Sequence, residues 1–177
     1  GGEPPQAPSP AQSESIRVSD LSYNPSPEVT ILSQLDMTLS VPKEDYSARL
    51  EELQGRLSQL SRQAQDASIS TVIAFEGWDA AGKGGAIRRI IPGLDSRLSQ
   101  VIPIMKPSPE EFSYHYLWRF WRHIPMAGRV TIFDRSWYGR VLVERVEGFA
   151  TEGEWMRAYA EINDFEAQLV RNRTVVL

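Results

Sequence analysis

The 177-residue sequence contains no cysteine, so no disulfide can brace the fold, which fits a reducing compartment. It lacks an apolar run approaching the roughly 20 residues that cross a bilayer, and it lacks a charged-then-apolar leader at its start. A cytoplasmic protein with no membrane partner is expected. Histidine is scarce too: His115 and His123 are the two present, and with no third ligand in view they argue against a zinc site. Hydrophobic residues make up 41% of the chain, enough to bury one core, so one folded domain with a tail is expected.

The net charge of −4, taken alone, argues against a polyanionic partner. Its distribution points the other way. From Gly77 to Arg145 there are 11 Lys/Arg against 6 Asp/Glu, while the rest of the chain holds 8 against 17. The basic segment also carries every motif described below, although an ordinary solvated helix face is the alternative for any one of these arginines.

Residues 1–15 are rich in Pro, Gly, Ser, Gln and Ala and cannot bury enough surface to offset ordering, so they are expected to be a disordered linker or tail. Residues 16–70 are expected to form an N-terminal extension. Within it, Asn24-Pro25-Ser26-Pro27 favours a turn. After Pro42, Tyr46, Leu50, Leu53, Leu57, Leu60 and Ala64 follow a 4-3-4-3-4 spacing that predicts one face of an amphipathic helix, too short in heptads for a coiled coil.

From residue 71 to 177, short apolar runs alternate with helical stretches. Strands are predicted at 71–75, 101–104, 129–133 and 174–177, and helices at 86–91 and 152–171. A capping box at Ser108–Glu111, with Pro109 in the first helical position, predicts a further helix of about four turns through Ile124. On it Phe112, Tyr116 and Phe120 are spaced by four and are expected to be mostly core. This alternation implies an α/β fold, a three-layer α/β/α arrangement around a mostly parallel sheet.

Gly77-Trp78-Asp79-Ala80-Ala81-Gly82-Lys83-Gly84 has the G-x-x-x-x-G-K form of a phosphate-binding loop, and it lies between a predicted buried strand and a helix, as that loop requires. Gly77, Gly82, Gly84 and Gly85 allow the backbone to turn its N–H groups around phosphate oxygens, and Lys83 reaches the outer phosphates. The hydroxyl residue that usually follows the lysine and holds magnesium is replaced by Gly84. Asp79, within the loop, is the nearby carboxylate, with a turn residue as its alternative role. Asp134 follows the apolar strand 130–133 and so lies at a carboxyl end, where open α/β sheets bind ligands. Arg135 and Arg140 are candidate phosphate clamps, with structural pairing to Asp134 or Glu144 as the alternative. Lys106, just past the second strand, is placed similarly. Trp78 and Trp137 are expected to pack beneath the loops, with stacking on a nucleotide as the alternative.

The G-x-D-x-x-G-K-G loop, the Lys-Pro-Ser-Pro-Glu-Glu segment leading to His115-Tyr116-Leu117-Trp118-Arg119, and Phe-Asp-Arg-Ser-Trp-Tyr-Gly-Arg together resemble the polyphosphate kinase type 2 family over about residues 36–177. The resemblance implies a P-loop fold similar to thymidylate kinases. It also implies Mg²⁺-dependent phosphoryl transfer between polyphosphate and nucleoside mono- or diphosphates, within a homo-oligomer and without nucleic acid. It makes Asp79 and Asp134 metal ligands, Lys83 and Arg135 phosphate contacts, and Asp79 also a group to orient or deprotonate the acceptor. Some members fuse two such domains and favour AMP, and residues 1–15 look like the linker between them. Members continue past the fourth strand into another strand and an arginine-rich lid. By that comparison Leu177 is expected to be a truncation point, leaving the core incomplete, prone to association and poor in turnover.

Overall fold

The four-stranded sheet is fully parallel because each of its first three strands is followed by a crossover that returns the chain to the same end. The computed structural model describes residues 34–36 and 38–177; the expected tail over 1–15 and turn at Asn24–Pro27 lie outside the described residues. The chain divides into one unit over Gly1–Ser40 and a second over Val41–Leu177. In the first, Asp36 Oδ1 accepts hydrogen bonds from the backbone and hydroxyl of Thr38 at 2.9 and 2.6 Å, closing a short Asx turn.

In the second unit the strands are β1 (Ser70–Phe75), β2 (Ser99–Pro103), β3 (Val130–Asp134) and β4 (Thr174–Val176). They lie in the order β2-β3-β1-β4. Register brings the carboxyl ends of three strands level: Phe75 and Pro103 both pair with Asp134. The inner strand β3 is buried along nearly its whole length, and β1 is buried or half-buried on both faces, which is why the runs read as continuously apolar rather than alternating. On one face Val72 and Phe133 pack with Leu117, Phe120, Trp137 and the buried side of α6 (Glu152–Arg171). On the other, Ile132 and Val130 pack with Ile87 of α2 (Lys83–Ile90). The α2 and α6 crossovers leave β1 and β3 in opposite directions along the sheet, so a crevice opens between these two strands at their carboxyl ends.

The predicted amphipathic helix is α1 (Lys43–Asp66), but its packing stripe is rotated from the apolar face. Leu50, Gln54, Leu57 and Ala64 are half-buried, whereas Tyr46, Leu53 and Leu60 are exposed. The reason lies at Gly93, where Leu57 Cδ2 and the Gln54 carbonyl come within 3.0 and 3.1 Å of any added Cβ. Gln54 Nε2 also donates to the Arg89 carbonyl at 2.7 Å. Close backbone approach and one polar bond set the rotation, and leucine coverage follows.

The four-turn helix predicted from Ser108 does not form. The capping box does, with Ser108 Oγ accepting from Glu111 N at 3.2 Å and Glu111 Oε2 accepting from Ser108 N at 2.8 Å. The chain is nonetheless helical only over α3 (Pro109–Phe112) and α4 (Trp118–Trp121). Between them, Ser113 Oγ bonds back to the Pro109 carbonyl at 3.2 Å and His115 Nδ1 accepts from Leu117 N at 3.4 Å, side-chain bonds that compete with a helical ladder. Arg119 then reaches back to the Met105 carbonyl at 2.7 Å and to Glu111 at 3.3 Å. His115 and His123 therefore do not share a helix. Phe120 is core as expected and Leu117 is buried beside it, but Phe112 is exposed, contrary to expectation, because the break after α3 turns it off the core face, and Trp121 is exposed too. Among the described residues, no helix is long and apolar enough to cross a membrane.

Candidate active site

The loop from Gly77 to Gly82 leaves β1 and turns directly into α2, and its backbone needs conformations that most side chains resist. Gly77 has φ +148° and Gly82 φ +91°, with Ala80 at +60° between them. An added Cβ at Gly77 would meet Ala81 Cβ at 3.3 Å, so glycine there allows a close approach as well as a left-handed turn. The first N–H groups of α2, on Lys83, Gly84 and Gly85, have no intrahelical acceptor, and the helix end carries partial positive charge. These residues wall an open cleft of about 470 Å³ with Asp79, Arg88, Lys106, Asp134 and Arg135. Four cationic side chains and two carboxylates thus converge where β1 and β3 separate.

Lys83 Nζ donates to the carbonyls of Gly77 and Trp78 at 2.8 and 2.9 Å, folding the side chain back over its own loop. Arg135 Nη2 meets Asp79 Oδ1 at 3.1 Å. The Asp79 side chain is 95% exposed, so this pair adds little stability and exchanges readily for a ligand. Arg135 has φ +70°, a left-handed conformation costing roughly 1–2 kcal/mol for a residue with a Cβ. Three bonds hold its neighbourhood: Arg135 N donates to the Phe75 carbonyl at 3.0 Å, Ile104 N donates to the Asp134 carbonyl at 2.9 Å, and Ser136 N donates to Glu76 Oε1 at 2.6 Å.

Beyond Ser136 the chain makes a 3₁₀ turn, Trp137–Arg140. Trp137 is fully buried, in edge contact with Phe120, Phe133 and Phe165. Its Nε1 donates to Glu166 at 2.9 Å, and the Tyr138 hydroxyl donates to the same oxygen. Burial, then that bond, pushes the Tyr138 phenol up to about 12. Trp137 packs as expected. Trp78 does not, being 87% exposed, because the loop's turn directs it outward rather than beneath.

Of the sequence-predicted site residues, Asp79, Gly82, Lys83, Gly84, Gly85, Lys106, Asp134 and Arg135 lie on the cleft wall. Gly77 contributes its carbonyl to Lys83 from behind. Arg140 is not on the wall. It pairs with Glu144 at 3.2 Å, the alternative read from the sequence, and covers the Tyr116 ring at 4.4 Å. It lines an adjoining pocket of about 180 Å³ that shares Lys106 with the cleft and includes Tyr116, Arg119 and Glu161. Burial, then Glu161, pushes the Tyr116 phenol well above its usual value. Burial, then Arg122, lowers His123.

Sequence reasoning missed three contributors. Arg88, one of the arginines of the basic segment and not singled out there, lines the cleft, and its Nε donates to the Gly84 carbonyl at 3.1 Å. Arg119, 8% exposed, braces the segment that carries Lys106. Glu76 ties the end of β1 to the turn after β3. An acid immediately after a buried strand was the available signal for Glu76; its partner lies 60 residues away.

Residues 40–177 match the family model described as Polyphosphate kinase 2 (PPK2). A protein of Pseudomonas syringae pv. tomato named polyphosphate:AMP phosphotransferase is 56% identical over 150 residues, covering 85% of this chain and 30% of that protein. The ADP-polyphosphate phosphotransferase 2 of Rhizobium meliloti is 41% identical over 133 residues, covering 75% of this chain and 44% of that protein. The crystal structure of a putative polyphosphate kinase 2 from Pseudomonas aeruginosa superposes with a TM-score of 0.77 at 52% identity, covering 82% of this chain and 32% of the other. The chain thus spans about a third of the length of these two Pseudomonas proteins. A match across most of the sequence, together with a parallel sheet bearing the phosphate loop and its facing acid, means that the chain belongs to the polyphosphate kinase 2 family.

Proposed function

We propose that this chain is the phosphate-binding core of an enzyme that moves a phosphoryl group from inorganic polyphosphate to a nucleotide, with AMP the favoured acceptor and ADP a second one. The observation that carries the reading is the convergence of Lys83, Arg88, Lys106 and Arg135 on one open cleft at the helix N-terminus. An open wall with four cations suits a long anion whose chain extends past the reacting phosphate. The relatives named as polyphosphate phosphotransferases support the same donor.

In the proposed reaction an acceptor phosphate oxygen attacks the terminal phosphorus, the bridging P–O bond breaks, and the shortened polyphosphate departs with the electron pair. Such transfer is mostly positioning and neutralisation of charge on the equatorial oxygens. The α2 amides and Lys83 hold the donor, and Arg135 stabilises the oxygens of the group in transit. Asp79 orients the acceptor. The adjoining pocket behind Lys106 receives the rest of the nucleotide.

Asp79 and Asp134, both on the cleft wall, suit a magnesium ion, which takes one or two carboxylates and completes its shell with phosphate oxygens and water. Among the described residues no three acids or histidines gather into a self-sufficient metal cluster, which fits an ion that arrives with its phosphate. When bound, it supplies charge neutralisation. We further propose a cytoplasmic homo-oligomer acting on polyphosphate and nucleotides, not on nucleic acid, with 71–177 as the kinase core, 16–70 as its N-terminal extension and 1–15 as a linker.

The test is a donor and acceptor screen on the full-length protein, with AMP or ADP, Mg²⁺, and either polyphosphate or ATP. Consumption of polyphosphate with formation of ADP or ATP is expected. Consumption of ATP alone would replace this reading with an ATP-dependent kinase, and consumption of neither would reduce the cleft to a binding site.

A further inference from the structure

We propose that Glu76 is a positioning residue that sets the conformation of Arg135, acting through Ser136; this rests on the function proposed above. Glu76 stands between the last residue of β1 and Gly77. Its Oε1 accepts from Ser136 N at 2.6 Å and from Ser136 Oγ at 3.0 Å. Ser136 is 4% exposed, so these donors have little access to water as a substitute. The Ser136 hydroxyl also accepts from Tyr138 N at 3.3 Å, so one side chain links the Glu76 carboxylate to the start of the 3₁₀ turn.

Arg135 lies between two fixed points. On one side Asp134 is locked in register with Phe75 and Pro103. On the other Ser136 is tied to Glu76. The single residue between them is held at φ +70°, a strained state that persists only where its surroundings over-determine it. That backbone directs the guanidinium across the cleft to Asp79 at 3.1 Å. Without the acceptor at Glu76, Ser136 is released, Arg135 relaxes to an ordinary negative φ, and its side chain leaves the phosphate path. The link also ties the phosphate loop to the Arg135 turn, so the two halves of the cleft keep a fixed relation. Both contacts need an acceptor oxygen rather than a charge, so glutamine serves in its place.

The test is a double-mutant cycle on the full-length protein with Glu76→Ala, Arg135→Ala, the double variant and Glu76→Gln. Each single alanine change is expected to lower kcat/KM for transfer from polyphosphate to AMP by about tenfold or more, and the double variant to fall no further than Arg135→Ala. Glu76→Gln is expected to stay within about threefold of the parent, since its amide oxygen still accepts from Ser136. Losses that multiply, or a glutamine variant as poor as alanine, would overturn the proposal. A purely structural role would lower Tm without coupling to Arg135.

Calorimetric affinity for tripolyphosphate gives the same cycle without turnover. A parent that binds but does not transfer sinks the proposed function, while the binding cycle still decides the role of Glu76. A parent that does not bind sinks both. If circular dichroism shows Glu76→Ala unfolded, Glu76→Met, which fills the same space without an oxygen acceptor for Ser136 N and Oγ, takes its place in the cycle with the same expected coupling, and additivity there overturns the idea equally.

Discussion

Lys83 folds back onto the carbonyls of Gly77 and Trp78, and Arg135 rests on Asp79, so two cleft cations are satisfied by the loop itself. Phosphate oxygens offer stronger, charged acceptors in the same positions. Neither contact is a large contributor to folding, because Asp79 is exposed and the cleft is open. Under the proposed function, Lys83→Ala and Asp134→Ala are expected to lower turnover by about a hundredfold or more with little loss of stability, since both would act on charge that develops in transfer. Steady-state kinetics beside a thermal melt check this, and a near-normal rate for either variant would remove that residue from the machinery. Asp79→Asn separates two roles. If Asp79 holds magnesium, the Mg²⁺ concentration needed for half-maximal rate is expected to rise by about tenfold, as for loss of one anionic ligand. An unchanged requirement would leave Asp79 as a turn residue paired to Arg135.

At the level of elements, the strands and the loop were legible in the sequence because their signals are local. A strand buried on both faces reads as an unbroken apolar run, and a phosphate loop reads as glycines at fixed spacing before a lysine. The region 109–124 was not legible, because its helix is broken by tertiary demands on Arg119 and by side-chain bonds at Ser113 and His115. The same limit hid Glu76 and rotated the packing stripe of α1 toward Gly93. Caps are local again: Thr151 and Glu154 form the box that starts α6, with Glu154 Oε2 accepting from Thr151 N and Oγ1 at 2.7 Å each. The Thr151 hydroxyl and then its N–H hold the Glu154 carboxyl below the usual glutamate range. A lowered acid contributes stability above its unfolded pKa and loses it as pH falls through the folded one. Thr151→Ala is expected to cost about 1 kcal/mol at neutral pH, a fall of about 3 °C in Tm. That difference from the parent is expected to shrink in acid, as pH falls through the lowered Glu154 pKa and the carboxylate is protonated, and a gap independent of pH would show that the box adds nothing electrostatic.

For the molecule as a whole, the two faces of the sheet are unequal. One carries an aromatic cluster in which Trp137 touches Phe120, Phe133 and Phe165, drawing α4, β3 and α6 together. The other carries a smaller aliphatic cluster around Ile87, Val130 and Ile132, with α1 laid outside it and holding no fully buried residue. Stability is therefore concentrated on the face behind the turn that follows β3. Trp137→Ala removes the centre of that cluster and leaves Glu166 without its indole donor, at an expected cost of about 3–5 kcal/mol. That is a large part of the roughly 5–15 kcal/mol that holds a domain folded. Leu57→Ala, on half-buried α1, is expected to cost about 1 kcal/mol. Urea midpoints for the two variants give the comparison, and equal shifts would mean that α1 is as integral to the core as the aromatic face. Because Trp137 follows Ser136 directly, its loss also loosens the turn that aims Arg135. Activity of Trp137→Ala is therefore expected to fall at urea concentrations where its circular dichroism is still native, whereas for Leu57→Ala the two signals should be lost together.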